Sequence, residues 1–249
     1  MGKYLRGLGI WDLHYPLQDI ALWKNILKEV RLFRPDVLVL GGDNMEMVAV
    51  DHWLHDKGMA RKLEGKRVLG EYGGFLKVIL NPLGEILKPN CRKIWLNGNH
   101  ENWIELAIDR NPQGEGYWEI ENNLHLKRKG WNVIPYGKFA KVGRLYLIHG
   151  QYTNIYHARK TVDVFERSVL YGHGHTYQIF TKMTPVGNEA HSGIAIPCAC
   201  GLNPDYRGNK PSAWVNGFVE FFIQPNGNFN VYPIVAIDGH FTCPSGKHY

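Results

Sequence analysis

Five apolar runs in this 249-residue chain stop on glycine and on side chains able to bind cations. They are Gly9-Ile10-Trp11-Asp12-Leu13-His14, Gly42-Asp43-Asn44, Gly98-Asn99-His100-Glu101, Leu147-Ile148-His149-Gly150 and Tyr171-Gly172-His173-Gly174-His175. This repeated design constrains the fold more than any compositional figure. A short apolar run bounded by turn residues reads as a buried strand, so each polar tail sits where a strand leaves its sheet. Glycine in or beside each tail lets the backbone turn sharply and approach a ligand closely.

Periodicity between the tails indicates the kind of sheet. Leu5 to Ile10 reads as a strand; Ile20, Trp23, Ile26, Leu27 and Val30 recur at helical spacing until Pro35; Val37 to Leu40 is a second apolar run. Strand, helix, strand is a βαβ unit, which implies parallel pairing. Residues 45–90 read as a mostly helical, basic insertion carrying Lys57, Arg61, Lys62, Lys66, Arg67 and Lys77. Lys93 to Leu96 is a short strand, and Glu101 to Asp109 is helical. Strands are then expected at Trp131–Ile134, Arg144–Ile148, Ser168–Tyr171, Gln178–Met183 and Gly193–Ala199. Phe218–Ile223 and Phe229–Ala236 flank Pro225-Asn226-Gly227-Asn228, a hairpin signal because Asn-Gly tolerates positive φ. Helices concentrate early and strands late. The expected architecture is α/β, with mixed sheets stacked face to face and helices outside. Its ligands belong at the carboxyl ends of strands.

Composition narrows the class. With 44% hydrophobic and 21% charged residues the chain can bury a full core, and no Ser/Gly- or Pro-rich linker divides it, so one domain over 1–249 is expected. No window approaches a membrane span. The opening MGKYLRGLGIWDLH lacks the apolar stretch of a secretory signal, so a cytoplasmic protein is expected. Cys91, Cys198, Cys200 and Cys243 form no CxxC pair; they are expected to be buried thiols rather than a disulfide framework or a structural zinc site. The net charge of +6 suits a polyanionic partner without requiring one.

The tails supply imidazole, carboxylate and amide oxygen, which suits hard or borderline divalent ions, and Asp12-x-His14 and His173-x-His175 can each offer two donors from one loop. No Ser-His-Asp or Cys-His nucleophile signature and no phosphate-cradling Gly-x-x-x-x-Gly-Lys loop competes. Each segment alone is a turn or a cap; the ordered set is not.

The series Asp-x-His, Gly-Asp, Gly-Asn-His-Glu, His, Gly-His-x-His over Asp12 to His175 resembles the signature of the calcineurin-like metallophosphoesterase superfamily. That resemblance implies a four-layer αββα sandwich of two mixed sheets. It also implies two divalent metal ions, manganese first, with iron, zinc, nickel or cobalt as alternatives. Carried over residue by residue, it implies one ion on Asp12, His14, Asp43 and His175. The other ion lies on Asp43, Asn99, His149 and His173, so that Asp43 bridges the pair. His100 corresponds to the family's catalytic histidine, which contacts phosphate and leaving group. Two ions roughly 3.5–4 Å apart can clamp a phosphate and present a hydroxide for in-line attack. Glu101 is expected to orient His100 or to cap the following helix.

The ester is less legible. DNA-processing members of the superfamily place a histidine three residues after the bridging aspartate, where this chain has Glu46; protein phosphatases continue into Asp-Arg-Gly, where it has Asn44-Met45-Glu46. The basic insertion, Lys127-Arg128-Lys129, and the aromatics Trp53, Tyr72, Trp103, Tyr117, Trp118 and Trp131 suit DNA, RNA or nucleotides. Asn44, His157 and Arg159, with Lys160, are candidate substrate contacts, and the remaining histidines read as surface or packing residues. The expectation is a phosphodiesterase. The alternatives are a phosphomonoesterase acting on nucleotides or small molecules, and a non-catalytic scaffold of the same fold.

Overall fold

The computed structural model describes residues 4–51, 56, 58, 63–187, 189–204 and 212–249. His52, Trp53, His55, Lys57, Arg61 and Lys62 of the expected basic insertion lie outside the described residues.

β1 (Leu5–Ile10) leads into α1 (Ile20–Phe33) and β2 (Val37–Leu40). The Asp19 side chain accepts a hydrogen bond from Leu22 N at 2.8 Å, satisfying a helix-start amide, and Arg34 ends the helix in a left-handed conformation before Pro35. Of the expected helical insertion, the described part contains α2 (Val68–Phe75), a π-helical turn (Leu76–Leu80) and α3 (Asn81–Ile86). β3 (Arg92–Leu96) follows, then α4 (Asn99–Arg110), α5 (Ile120–Leu124) and β4 (Trp131–Ile134). The second half comprises β5 (Ala140–Val142), β6 (Leu145–Leu147), α6 (His157–Phe165), β7 (Val169–Tyr171), β8 (Gln178–Thr184), β9 (Glu189–Ala195), β10 (Asn216–Ile223) and β11 (Phe229–Ala236).

Two mixed sheets result, ordered β11-β10-β1-β2-β3-β4 and β5-β6-β7-β9-β8. β1 to β4 are parallel, as are β6, β7 and β9, while β10, β11, β5 and β8 pair antiparallel. Alternate residues of the strands separate two cores. Val37, Val39, Ile94, Leu96, Leu147, Leu170, Val219 and Phe221 fill the space between sheets. Leu8, Leu38, Leu40, Leu22, Ile26, Phe75 and Trp95 pack on the helical face. A smaller cluster around Ile148, Val169 and Tyr171 meets Phe165 of α6 on the outer face of the second sheet.

Three expectations shift. α6 breaks the division into early helices and late strands. It is a short βαβ crossover between β6 and β7 with Ala158, Thr161 and Val162 turned inward. α4 begins at Asn99, so Asn99 and His100 join Glu101 in its first turn rather than forming a preceding loop. β9 lies at Glu189–Ala195, earlier than the apolar run 193–199 suggested. Beyond Ala195 that run leaves the second sheet: Cys198 bridges to Trp11, and Ala199 N donates to Trp11 O at 3.0 Å. Among the described residues no helix is long and apolar enough to cross a membrane.

Candidate metal centre

All five tails converge. They follow β1, β2, β3, β6 and β7, and those strands are parallel within each sheet, so their carboxyl ends open on one side of the sandwich. Trp11, fully buried between the sheets, locks the two halves by donating from Nε1 to Ile148 O at 3.0 Å, beside His149.

Asp43 is the centre. Its Oδ2 lies 3.2 Å from His149 Nε2 and 3.8 Å from both His14 Nε2 and His100 Nε2. Ligand atoms group within 4.8 Å as His14, Asp43 and His100, and again as Asp43, His149 and His173, so Asp43 belongs to both sets. Asn99 Oδ1 faces His149 Nε2 at 3.1 Å, Asp12 Oδ1 lies 3.6 Å from His175 Nε2, and His173 N donates to both Asp12 oxygens. His14 Nε2 and His175 Nε2 face each other at 3.1 Å, a separation that requires a shared proton or a common cation.

Outer partners fix the ring orientations. His149 Nδ1 donates to Gly41 O at 3.2 Å, which leaves Nε2 to the centre, and His100 Nδ1 donates to Glu46 O at 2.7 Å with the same effect. The Glu46 carboxylate accepts from His14 Nδ1 at 2.6 Å. One residue therefore aims two histidines. Nothing in the sequence signalled this, since Glu46 is recognisable there only as the absence of a histidine. Cys200 likewise abuts His175, its Sγ 3.8 Å from Nδ1, where a buried structural thiol was expected.

Glu101 does not orient His100; it caps the start of α4 by accepting from the Gly98 amide, and it does more than cap. Fully buried, its carboxylate accepts from the amides of Gly98 (2.7 Å), Asn44 (2.8 Å), Asp43 (3.0 Å) and Met45 (3.2 Å). It fastens the second tail to the third. The glycines act through close approach: a Cβ on Gly98 would overlap Asp43, and one on Gly172 would overlap Asp12 and Trp11. Five residues of the cluster, Asp12, His14, Asp43, His173 and His175, have positive φ between 47° and 69°, a region costly for side chains with a Cβ.

Burial penalises every charge in this cluster, and neighbours decide the outcome. Burial drives Asp12 up to about 7. Asp43 would rise for the same reason, yet His149 and His100 hold it well below the usual carboxylate range. Burial opposes charge on His14 and His149, but Glu46 lifts the first to about 10 and Asp43 lifts the second to about 9. His173 falls to about 4 through burial and the charge on His149, and burial and the charge on His14 hold His175 well below the usual imidazole range. A buried knot of carboxylates and mutually repelling imidazoles is the donor set that divalent cations neutralise. The residues fit such ions.

The comparisons with known proteins agree. A family model described as calcineurin-like phosphoesterase matches residues 11–195, well over half of the chain. This chain belongs to the calcineurin-like phosphoesterases. The family uses divalent metal ions, and its membership makes the chain a phosphoester hydrolase in general class. Among solved structures, this calcineurin-like phosphoesterase is similar to zinc-complexed Vps29 from Entamoeba histolytica. The TM-score is 0.50 at 14% identity over 96% of this chain and 97% of that one, which shows a shared fold. A metallophosphoesterase from Sphaerobacter thermophilus matches with TM-score 0.44 at 17% identity, over 92% and 88% of the two chains. No curated protein matches the sequence.

The expected substrate contacts of the phosphoesterase fall outside the cluster. Asn44 is buried and donates through Nδ2 to Leu96 O at 3.2 Å. The His157 ring is buried, its nitrogens 2.7 Å from Tyr171 OH and 3.0 Å from Thr176 Oγ1, so no ring nitrogen remains for a phosphate. Arg159 is exposed on α6, 3.6 Å from Asp163 and against the Phe180 ring. Tyr72 and Trp131 are buried in the core, so packing, not stacking on bases, accounts for them; Tyr117 is exposed, and Trp103 lines a cavity.

Glu46 gives a direct test of these outer partners. Glu46→Ala should weaken divalent-ion binding by about 10–100-fold, as loss of a carboxylate behind a ligating histidine does. Glu46→Gln should recover part of it, because its amide oxygen still accepts from His14. Calorimetric titration with Mn2+ measures both, and unchanged affinity in Glu46→Ala would remove the assigned role.

Proposed function

We propose that this chain is a dinuclear metal-dependent phosphodiesterase acting on nucleic-acid or nucleotide substrates. One ion is held by Asp12, His14, Asp43 and His175, and a second by Asp43, Asn99, His149 and His173. The observation that carries the reading is the position of Asp43 Oδ2, which stands 3.2–3.8 Å from three imidazoles and belongs to two separate ligand groups. Bound divalent ions supply Lewis-acid neutralisation of the phosphate and a water of lowered pKa. Manganese is the first choice by resemblance to the family; the oxygen and imidazole donor set also admits iron, zinc, nickel or cobalt.

His100 has the geometry of the general acid. The Glu46 carbonyl holds its Nδ1–H, and its ring packs on Trp103 with centroids 3.8 Å apart, leaving Nε2 toward the centre. Negative charge on an arriving phosphate favours a proton on Nε2, which then passes to the departing oxygen. Burial lowers His100 in the absence of such charge, so the ring returns to neutral after turnover.

A cavity of about 320 Å³ supports an organic leaving group. Its lining, among the described residues, includes Trp103, Ala107, Arg110 and Trp118, so it begins at the ring against which His100 packs. An aromatic wall beside a guanidinium suits a base and its neighbouring phosphate. The intact ligand set weighs against a non-catalytic scaffold.

The deciding assay gives the Mn2+-loaded protein bis-p-nitrophenyl phosphate, p-nitrophenyl phosphate and a single-stranded oligonucleotide. Diester and oligonucleotide cleavage is expected. Turnover of the monoester alone would replace the diesterase reading with a phosphomonoesterase, and no turnover of any would favour the scaffold.

A further inference from the structure

β10 carries an anomaly far from the metal centre. Val219, Phe221 and Ile223 face the sandwich core while Phe218 faces the helical side, and on that helical face the next inward position is Glu220. Glu220 is 1% exposed; it meets Glu29 of α1, 3% exposed, and Cys243, 3% exposed. One ligand atom from each of the three lies within 4.8 Å of the others. Glu220 pairs with Leu8 of β1, four residues before Asp12, which places the group roughly 13 Å down the strand at 3.3 Å per residue.

Two buried carboxylates and a thiol with no cationic partner are costly. Among the described residues no lysine, arginine or histidine ion-pairs with Glu29 or Glu220. The hydroxyl of Tyr249 donates to Glu29 Oε2, but Glu220 Oε1 is buried without any hydrogen-bond partner. An orphaned carboxylate oxygen inside a core needs a proton or a cation to account for it. Burial and the adjacent Glu29 push the Glu220 carboxyl up to about 8, and burial pushes the Cys243 thiol up as well, so both hold protons that a cation can displace.

We propose that Glu29, Glu220 and Cys243 form a separate structural site for a thiophilic divalent cation of the zinc type, cross-linking α1, β10 and the 240–249 segment. Zinc takes carboxylate oxygen at about 2.0–2.2 Å and thiolate sulfur at about 2.3 Å, so its donors stand roughly 3.3–3.8 Å apart in a tetrahedron. Side-chain adjustment of about 1 Å achieves this. The phosphoesterase ligands proposed above contain no sulfur, which makes the thiolate a distinguishing mark. The two sites stand or fall separately.

X-ray absorption on the zinc-saturated protein is expected to show a sulfur scatterer at about 2.3 Å. It should persist in Cys200→Ser, whose thiol neighbours His175, and vanish in Cys243→Ser. Glu220→Gln should bind one equivalent of zinc fewer than the unsubstituted chain while keeping its phosphoesterase rate. Absence of sulfur in both the zinc-saturated protein and Cys200→Ser would overturn the proposal even if Cys243→Ser fails to fold. So would an unchanged zinc content in Glu220→Gln, the result expected if Glu29 and Glu220 simply share a proton.

Discussion

Asp43→Ala should lose both bound ions and reduce phosphoester hydrolysis by on the order of 10³-fold or more, the several kcal/mol that metal charge stabilisation supplies at about 1.36 kcal/mol per decade. The reason is geometric. Every other proposed ligand serves one of the two ions, whereas Asp43 groups with His14 and also with His149 and His173, and it steadies the third tail, since Oδ1 accepts from His100 N at 3.0 Å. Asp43→Asn separates these duties. It keeps an oxygen for that amide but removes the charge that lifts His149 to about 9, so it should fold normally and still bind less than the full complement of metal. Elemental analysis beside a diester assay reads both outcomes. Full metal content in Asp43→Ala would end the bridging assignment.

His100→Ala should divide metal binding from turnover. General acid catalysis contributes about 10²–10⁴-fold, so kcat on a single-stranded oligonucleotide should fall by that factor while two ions remain bound. The loss should shrink for substrates whose leaving oxygen needs no proton, such as nitrophenolate compared with an alkoxide of an oligonucleotide. Loss of an ion in His100→Ala would instead make His100 a ligand, a role its place in the group with His14 and Asp43 permits on distance alone. The leaving-group series distinguishes the two, because a missing metal slows all substrates alike.

The parts of the molecule legible in its sequence were those made of local repetition. β1, β2, β3, β6 and β7 are apolar runs cut off by glycine and polar residues, and α1 shows the 3.6-residue recurrence of Trp23, Ile26 and Val30 along one buried face, although Ile20 at its start is exposed. α6 was missed because its nine residues turn so few apolar side chains inward that His157, Arg159 and Lys160 dominate the reading. β9 was displaced because burial does not distinguish a strand from the apolar loop that continues it toward Trp11. Glu46 and Glu101 were illegible as aiming and fastening groups for another reason. Their partners are 32 residues away for His14 and 58 for Asp43, and most are backbone amides, which leave no mark on a sequence.

The positive φ values at Asp12, His14, Asp43, His173 and His175 bear on the kinetics of ion exchange. Each strained backbone costs of order 1–3 kcal/mol, and the fold bears that cost during folding, through Glu101 and the glycine approaches, rather than when a cation arrives. The donors are thus preorganised. An incoming ion meets loops with little conformational entropy left to lose, so its capture rate should be limited by shedding water from the ion rather than by loop closure. Its release should leave behind a vestibule of nearly unaltered shape.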